Sequence, residues 1–236
     1  MIYQIETEIF SSYPFFCRGV VVVSKADNSK TSAPELEALF NSRIETVKNN
    51  EEISTEHPRI NAWSEIYSHF LIKDARRIRP SVASLVKRIK QGSNIPFISP
   101  LVCISNFISL KHLVPSGLID LNKVEGNLLL GFADGSEKFQ PIGDDKTINP
   151  VKDEIIYFDT GNKNVMCRAW NSRGGKSTFI LPSTKNAVID VDGLTNVISE
   201  SEIIEATKAA AELVSKFCDA EVKTYLLNKD NRVIEF

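Results

Sequence analysis

The sequence predicts an α+β protein with a largely antiparallel sheet system. Three observations predict it. Helix-like and strand-like segments do not alternate strictly; Gly126, Gly131, Gly135, Gly143 and Gly161 punctuate short β-rich runs in the second half of the chain; and the turns between those runs are too short for crossover helices. A Rossmann arrangement is therefore disfavoured. The 236 residues are expected to form one compact domain over 1–236.

Taken in order, Ile2 to Phe10 reads as a strand. Arg18 to Val23 reads as a second strand, a β-branched run suited to burial on both faces. After a polar link, Leu36, Leu39, Phe40, Ile44 and Val47 recur at helical spacing, with Pro34 in the first turn and Asn49–Asn50 closing the helix. His57–Pro58 breaks the chain, and Ile60, Trp63, Ile66, Tyr67 and Phe70 then mark one face of another helix. A third helix starts at Pro80, carries Val82, Leu85, Val86 and Ile89 on its core face, and stops at Gln91–Gly92. The run from Pro100 through LVCISNFISLKHL reads as a buried helix with a polar stripe. Beyond Pro115–Ser116–Gly117, strands are expected over 127–132, 154–158, 165–170, 177–181 and 187–191. The box Ser199-x-x-Glu202 starts a last helix striped by Ile203, Thr207, Ala210, Val214 and Phe217. Residues 222–227 and 232–236, joined by NKDN, read as a terminal hairpin.

Composition excludes several classes. With 42% hydrophobic and 25% charged residues the chain is an ordinary globular one, not fibrous or largely disordered. A formal charge of −2 gives no global field to hold nucleic acid, and nothing indicates DNA. The N-terminus lacks the plan of a signal peptide and no apolar run is long enough to span a bilayer, so the expected location is the cytoplasm with no membrane partner. Cys17, Cys103, Cys167 and Cys218 form no C-x-x-C pair and are expected to be buried, reduced thiols. Only three histidines occur, so neither a metal centre nor any other cofactor is expected. His57 and His69 read as local turn or packing residues. SRGGKST resembles the end of a P-loop, but Trp170 stands where the first glycine is required, and Gly174–Gly175 reads as a hairpin turn.

Two constellations point toward chemistry. On the helix from Pro100, Ser105, Ser109 and His112 follow one another at i, i+4 and i+7, with Asn106 alongside. Such a stripe either orients a polar ligand in an apolar pocket or serves solvent and backbone carbonyls. Separately, Lys73, Arg76, Arg77, Arg79, Lys87, Arg88 and Lys90 share one short segment with a single acid, Asp74. This segment is either a solvated helix face or a contact for a polyanion.

The run PLVCISNFISLKHLVPSGLIDLNKVEGNLLLGFA (100–133) resembles the editing region of the phenylalanyl-tRNA synthetase β subunit, the B3/B4 domain. RPSVASLVKRI (79–89), CRAWNSR (167–173) and STKNAVIDVDGL (183–194) resemble the same family, so a B3/B4-like core is expected over about 57–195, with N- and C-terminal α/β extensions. The resemblance implies a β-sandwich of unusual topology with mixed, largely antiparallel strands covered by helices. It also implies a pocket that accepts the aminoacylated end of tRNA and hydrolyses a wrongly attached amino acid. Carried over residue by residue, the family's Thr-Asn pair becomes Ser105 and Asn106, the implied catalytic positions. The P-x-H-A-F-D-L loop becomes Pro115 to Leu121, with Gly117 in place of the histidine. Pro115, Ser116, Gly117, Trp170 and Asn171 join Ser109 and His112 as implied substrate contacts. Arg77, Arg79, Lys87, Arg88 and Lys90 become the implied RNA contacts.

Two functions stay open at this point. One is a protein that binds tRNA or aminoacyl-tRNA and deacylates a mischarged species. The other is a non-catalytic pocket for a free amino acid or related metabolite.

Overall fold

The nine-residue strand β2 (Phe16–Ser24) carries two cores at once, because side chains alternate across a strand. Cys17, Val21 and Val23 enter one cluster with the helices, whereas Phe16, Val20 and Val22 enter a second cluster beneath another sheet. The computed structural model describes residues 1–69 and 78–236. Before β2 lie β1 (Ile2–Ile5) and the short α1 (Thr7–Ser12). After it come α2 (Pro34–Asn49), α3 (Pro58–Ser68), α4 (Ser81–Lys90) and α5 (Pro100–His112). Then follow β3 (Ser116–Asp120), β4 (Leu128–Phe132), β5 (Ile155–Asp159), β6 (Val165–Arg168), β7 (Arg173–Gly174) and β8 (Ala187–Leu194). The chain closes with α6 (Glu200–Cys218), β9 (Glu221–Leu227) and β10 (Val233–Glu235).

Among the described residues the strands form a four-stranded sheet, β3-β8-β2-β9, and a six-stranded sheet, β10-β1-β4-β5-β6-β7. All neighbours are antiparallel except β1 with β4. The architecture is α+β: helices α2, α4, α5 and α6 cover one face of the four-stranded sheet, and the other sheet covers its opposite face. No helix among the described residues is long and apolar enough to cross a membrane.

Local chemistry accounts for most of these elements. Pro34 and Pro100 sit in the first turns of α2 and α5, where a missing N–H costs nothing. At α6 the capping box forms as the sequence implies, with Ser199 accepting from the Glu202 N–H and the Glu202 carboxylate accepting from the Ser199 N–H. That helix presses onto β2 so closely that a Cβ on Gly19 would lie 1.8 Å from Thr207 Oγ1. Gly19→Ala is therefore expected to destabilise by roughly 1–3 kcal/mol, the usual range for overpacking. Thr207→Ala in the same protein should recover part of the loss, and a urea midpoint equal to the parent's in the single variant would contradict the contact.

Four sequence expectations are corrected. Residues 2–10 are not one strand: the strand ends at Ile5 and α1 begins at Thr7, because Ile9 and Phe10 bury on a helical turn and the Glu6 carboxylate accepts from the Phe132 N–H. Residues 177–181 form a loop, whose Thr178 carbonyl accepts from the Asp120 N–H. Gly174–Gly175 is not the hairpin turn; Gly174 belongs to β7, and the chain reverses at 169–172, where Ala169 and Trp170 adopt left-handed φ values of 46° and 64°. The terminal strands are not a hairpin either, since β9 pairs with β2 and β10 with β1, in different sheets. Strand β3 has no counterpart in the sequence reading.

Candidate functional site

A cavity of about 520 Å³ opens where the edge strand β3 faces β6 and β7 across the end of the sandwich. Its walls are largely apolar: Val102 from α5, Leu118 and Ile119 from β3, Met166 from β6, and Ile180 and Leu181 from the 177–181 loop. Apolar walls with a few convergent polar groups are the usual composition of a small-molecule site. The polar groups here include the serines Ser81, Ser116 and Ser172, and, at the buried end, Arg18, Tyr157, Asn171, Asp190 and Asp192.

Strand register brings the charges together. Arg18 pairs with Asp192 across β2 and β8, and Asp190 lies two residues away on the same inner face. Arg18 donates from Nε and Nη2 to the two Asp192 oxygens at 2.5 and 2.8 Å, a bidentate pair inside the protein. Its Nη1 donates to the Tyr3 hydroxyl at 2.6 Å, and Tyr3 donates in turn to Asp190 Oδ1 at 2.9 Å. Asn171 Nδ2 donates to Asp192 Oδ2 at 2.8 Å, and the Tyr67 hydroxyl donates to Asn171 Oδ1. Arg18, Asp190 and Asp192 are 2%, 5% and 2% exposed, so their charges act in a weakly screening environment. Burial pushes the Asp190 carboxyl up to about 7, a rise that Arg18 opposes and Asp192 reinforces.

Three further buried polar atoms on cavity residues have no partner of ordinary hydrogen-bond geometry among the described residues: Ser81 Oγ, the Tyr157 hydroxyl and Trp170 Nε1. The Cys167 thiol also lines the cavity, but burial pushes it up to about 12, so it is not a thiolate nucleophile at neutral pH. The four cysteines are free; Cys17, Cys103 and Cys218 are buried, while Cys167 is half-buried.

The structure divides the residues singled out in the sequence. Ser116, Gly117, Trp170 and Asn171 line the cavity. Ser105 is buried behind that wall and touches it through the Ser116 hydroxyl at 2.8 Å. Asn106 is half-buried one turn beyond Val102, does not line the cavity, and makes no side-chain hydrogen bond among the described residues. Ser109 is not in the cavity: its hydroxyl donates to the Val114 carbonyl at 2.6 Å, satisfying the end of α5. His112 is outside it as well, and burial together with Lys111, Arg59 and Arg43 pushes its imidazole down to about 4, leaving it neutral. Pro115 is buried and does not line the cavity; its carbonyl accepts from the Asp192 N–H alongside β8. The polar stripe on α5 therefore splits, because a helix packed on two sides sends alternate turns to different neighbours.

Of the basic segment, Lys73, Arg76 and Arg77 lie outside the described residues, as does Phe70. Arg79, Lys87, Arg88 and Lys90 are exposed. Ser81, at the start of α4, lines the cavity, and Lys87 lies six residues, roughly 9 Å, further along that helix. Arg88 donates to the Asn94 carbonyl and Lys90 to the carbonyls of Lys48 and Asn50, which holds both against neighbouring loops. A different cationic surface adjoins the cavity: Lys123, Lys138 and Lys176 surround a depression of about 440 Å³ that shares Phe179 with it.

Sequence reasoning missed Arg18, Tyr157, Asp190, Asp192 and these three lysines. A signal existed for the carboxylates, since AVIDVDGL places two acids at i and i+2 on one face of an otherwise apolar strand.

Comparison with known proteins bears on this arrangement. The family model described as the B3/4 domain matches residues 63–229. Among solved structures, an N-terminal fragment of the phenylalanyl-tRNA synthetase β subunit from Pyrococcus horikoshii is similar at 13% identity with a TM-score of 0.46, over 92% of this chain and 49% of that one. This chain thus spans about half the length of the structure it matches. No curated protein matches.

Proposed function

The chain belongs to the B3/4 domain family, and from that premise we propose that its cavity receives the aminoacyl group carried on the 3′ end of a tRNA. The observation that supports this reading most directly is the cavity itself, about 520 Å³ with apolar walls and a buried polar end, which suits an amino acid bearing an apolar side chain. The neighbouring depression around Lys138 and Lys176 supplies cations beside the opening, where the terminal phosphates of the RNA would run. Phe179, on the rim of both, offers a ring on which a terminal base can stack.

Hydrolysis is the finer part of the proposal. It would consist of water adding to the ester carbonyl and the ribose oxygen leaving with a proton, releasing free amino acid and uncharged tRNA. Among the described residues the cavity is lined by no histidine and its thiol, Cys167, stays protonated at neutral pH, so water is the nucleophile this reading assigns.

The test is a panel of correctly and wrongly charged tRNAs, read both by filter binding across a salt series and by release of amino acid. Charged tRNA is expected to bind more tightly than uncharged tRNA, and Lys138→Glu with Lys176→Glu should reduce the salt slope by roughly 1–2, as for two lost phosphate contacts. If instead Lys87→Glu with Arg88→Glu changes the slope and the first pair does not, the RNA lies along α4. Equal affinity for charged and uncharged tRNA would remove the aminoacyl group from the cavity, and tight binding of a free metabolite without RNA affinity would favour a small-molecule pocket. Release from one mischarged species would establish the hydrolase.

A further inference from the structure

When ionised, Asp190 carries a negative charge that its neighbours compensate only in part. The guanidinium of Arg18 is committed to both oxygens of Asp192 and to Tyr3, and its nearest approach to Asp190 is 3.8 Å. Asp190 Oδ1 accepts from Tyr3, while Oδ2 has only that distant guanidinium. One buried cation thus faces two buried carboxylates. Such a deficit is costly unless a proton or an external cation supplies it.

The surroundings of Asp190 are open rather than packed. Gly117 stands directly opposite it across β3 and β8, and paired residues on neighbouring antiparallel strands share a face. A Cβ on Gly117 would meet nothing within 4 Å, so the space beside the carboxylate belongs to the cavity. On the facing sheet the Tyr157 hydroxyl is buried with the Tyr3 hydroxyl as its side-chain neighbour; donating toward that oxygen leaves its own oxygen able to accept one N–H.

We infer that Asp190 is the recognition point for a primary ammonium group, so that the cavity selects ligands with a free amino group and a neutral acyl end over free amino acids. This inference rests on reading the cavity as an aminoacyl site. An ammonium brings three donors, enough for Asp190 Oδ2 and the Tyr157 oxygen, and it cancels the excess negative charge. A free amino acid brings its own carboxylate into a chamber that already holds two, and the one guanidinium there is fully engaged. An ester or amide carries no such charge, and its carbonyl can accept from the donor of Trp170 Nε1. Discrimination between a charged tRNA and the free amino acid then arises from electrostatics rather than from the side chain.

The groups facing Asp190 are Arg18 on β2, Asp192 on β8, Tyr3 on β1, Tyr157 on β5 and Cys167 on β6. Burial raises Tyr3, Tyr157 and Cys167, so these stay neutral near pH 7, and Arg18 stays charged. Asp190 is the group that titrates there. Binding of an ammonium therefore strengthens as pH rises through about 7, where Asp190 ionises, and weakens again once the ligand's own amino group, near 8, loses its proton.

The experiment is calorimetric titration of the full chain with three matched probe sets: the amides of leucine, methionine and phenylalanine, the same compounds lacking the amino group, and the free amino acids. At least one amide is expected to bind at least about tenfold more tightly than its des-amino and free-acid counterparts, the usual scale of a charged hydrogen bond. Asp190→Asn, nearly isosteric, should lose that preference and its dependence on pH, with its thermal midpoint measured to establish folding. Equal binding of amides and des-amino compounds to the parent protein would overturn the inference, whatever the variant does. So would a preference retained in folded Asp190→Asn, or no binding of any amide; in that last case, retained affinity for charged tRNA would leave the reading of the cavity standing without its ammonium point.

Discussion

Replacing Arg18 with methionine is expected to lower stability by about 3–5 kcal/mol, the cost of removing one partner from a buried, hydrogen-bonded ion pair. The guanidinium is 2% exposed, joins Asp192 through two hydrogen bonds, and lies 5.3 Å from the centre of the Tyr157 ring. Methionine restores the apolar volume but leaves Asp190 and Asp192 facing each other without a cation. The sign of the pH dependence follows from Asp190. Its carboxyl is raised to about 7 by burial, so the folded state binds a proton that the unfolded state releases near 4, and this group's contribution to stability falls as pH rises across that interval. Arg18 is what restrains the rise. Without it the interval extends upward, so the deficit of Arg18→Met relative to the parent is larger at pH 8 than at pH 5. Urea unfolding at the two pH values measures it. Adding Asp192→Asn should recover part of the loss, because it removes one of the stranded charges. A deficit below about 1 kcal/mol, the range of exposed pairs, or one that shrinks with rising pH, would contradict the buried network.

Gly117→Leu is expected to close the cavity while sparing the fold. The backbone at Gly117 lies outside the left-handed region, and nothing stands within 4 Å of the position its Cβ would take. The Cβ of a leucine therefore meets no steric objection in the free protein, and thermal midpoints of variant and parent are expected to agree closely. Its side chain instead occupies the space opposite Asp190. Binding of charged tRNA, or of the amide probes, should weaken roughly 10- to 100-fold, the equivalent of 1–3 kcal/mol of overpacking against the ligand. Unaltered affinity would place the ligand away from β3. The substitution is informative because the motif that this segment resembles carries a histidine at this position, where this chain leaves the space opposite Asp190 open.

The elements that the sequence predicts well are those governed by local rules. Helices α2, α5 and α6 begin where proline or a capping box removes the cost of unsatisfied N–H groups, and β2 is buried on both faces because its β-branched run has no solvent side. Misreadings cluster where chain direction depends on a distant partner. Ile5 and Ile9 fit a strand or a helical turn equally, and the Glu6 carboxylate, reaching the Phe132 N–H, decides for the turn. NKDN favours a reversal, yet β9 and β10 then pair in separate sheets.

The candidate site follows the same division. Ser116, Gly117, Trp170 and Asn171 emerge from the family resemblance and do line the cavity, whereas helical spacing alone grouped Ser109 and His112 with positions they do not accompany in space. A helix wheel fixes which residues share a face but not what lies against each turn of it. Arg18 looks in sequence like a lone charge in an apolar strand, and Asp190 and Asp192 like two acids in another, separated from it by more than 170 positions. By itself the sequence determined the longer helices and the central strands, with the alternation that divides the side chains of β2 between two cores. Only the tertiary structure decided that these three charges meet, because the register of β2 against β8 is set by long-range pairing and by the packing of α6 onto Gly19, neither of which any local window contains.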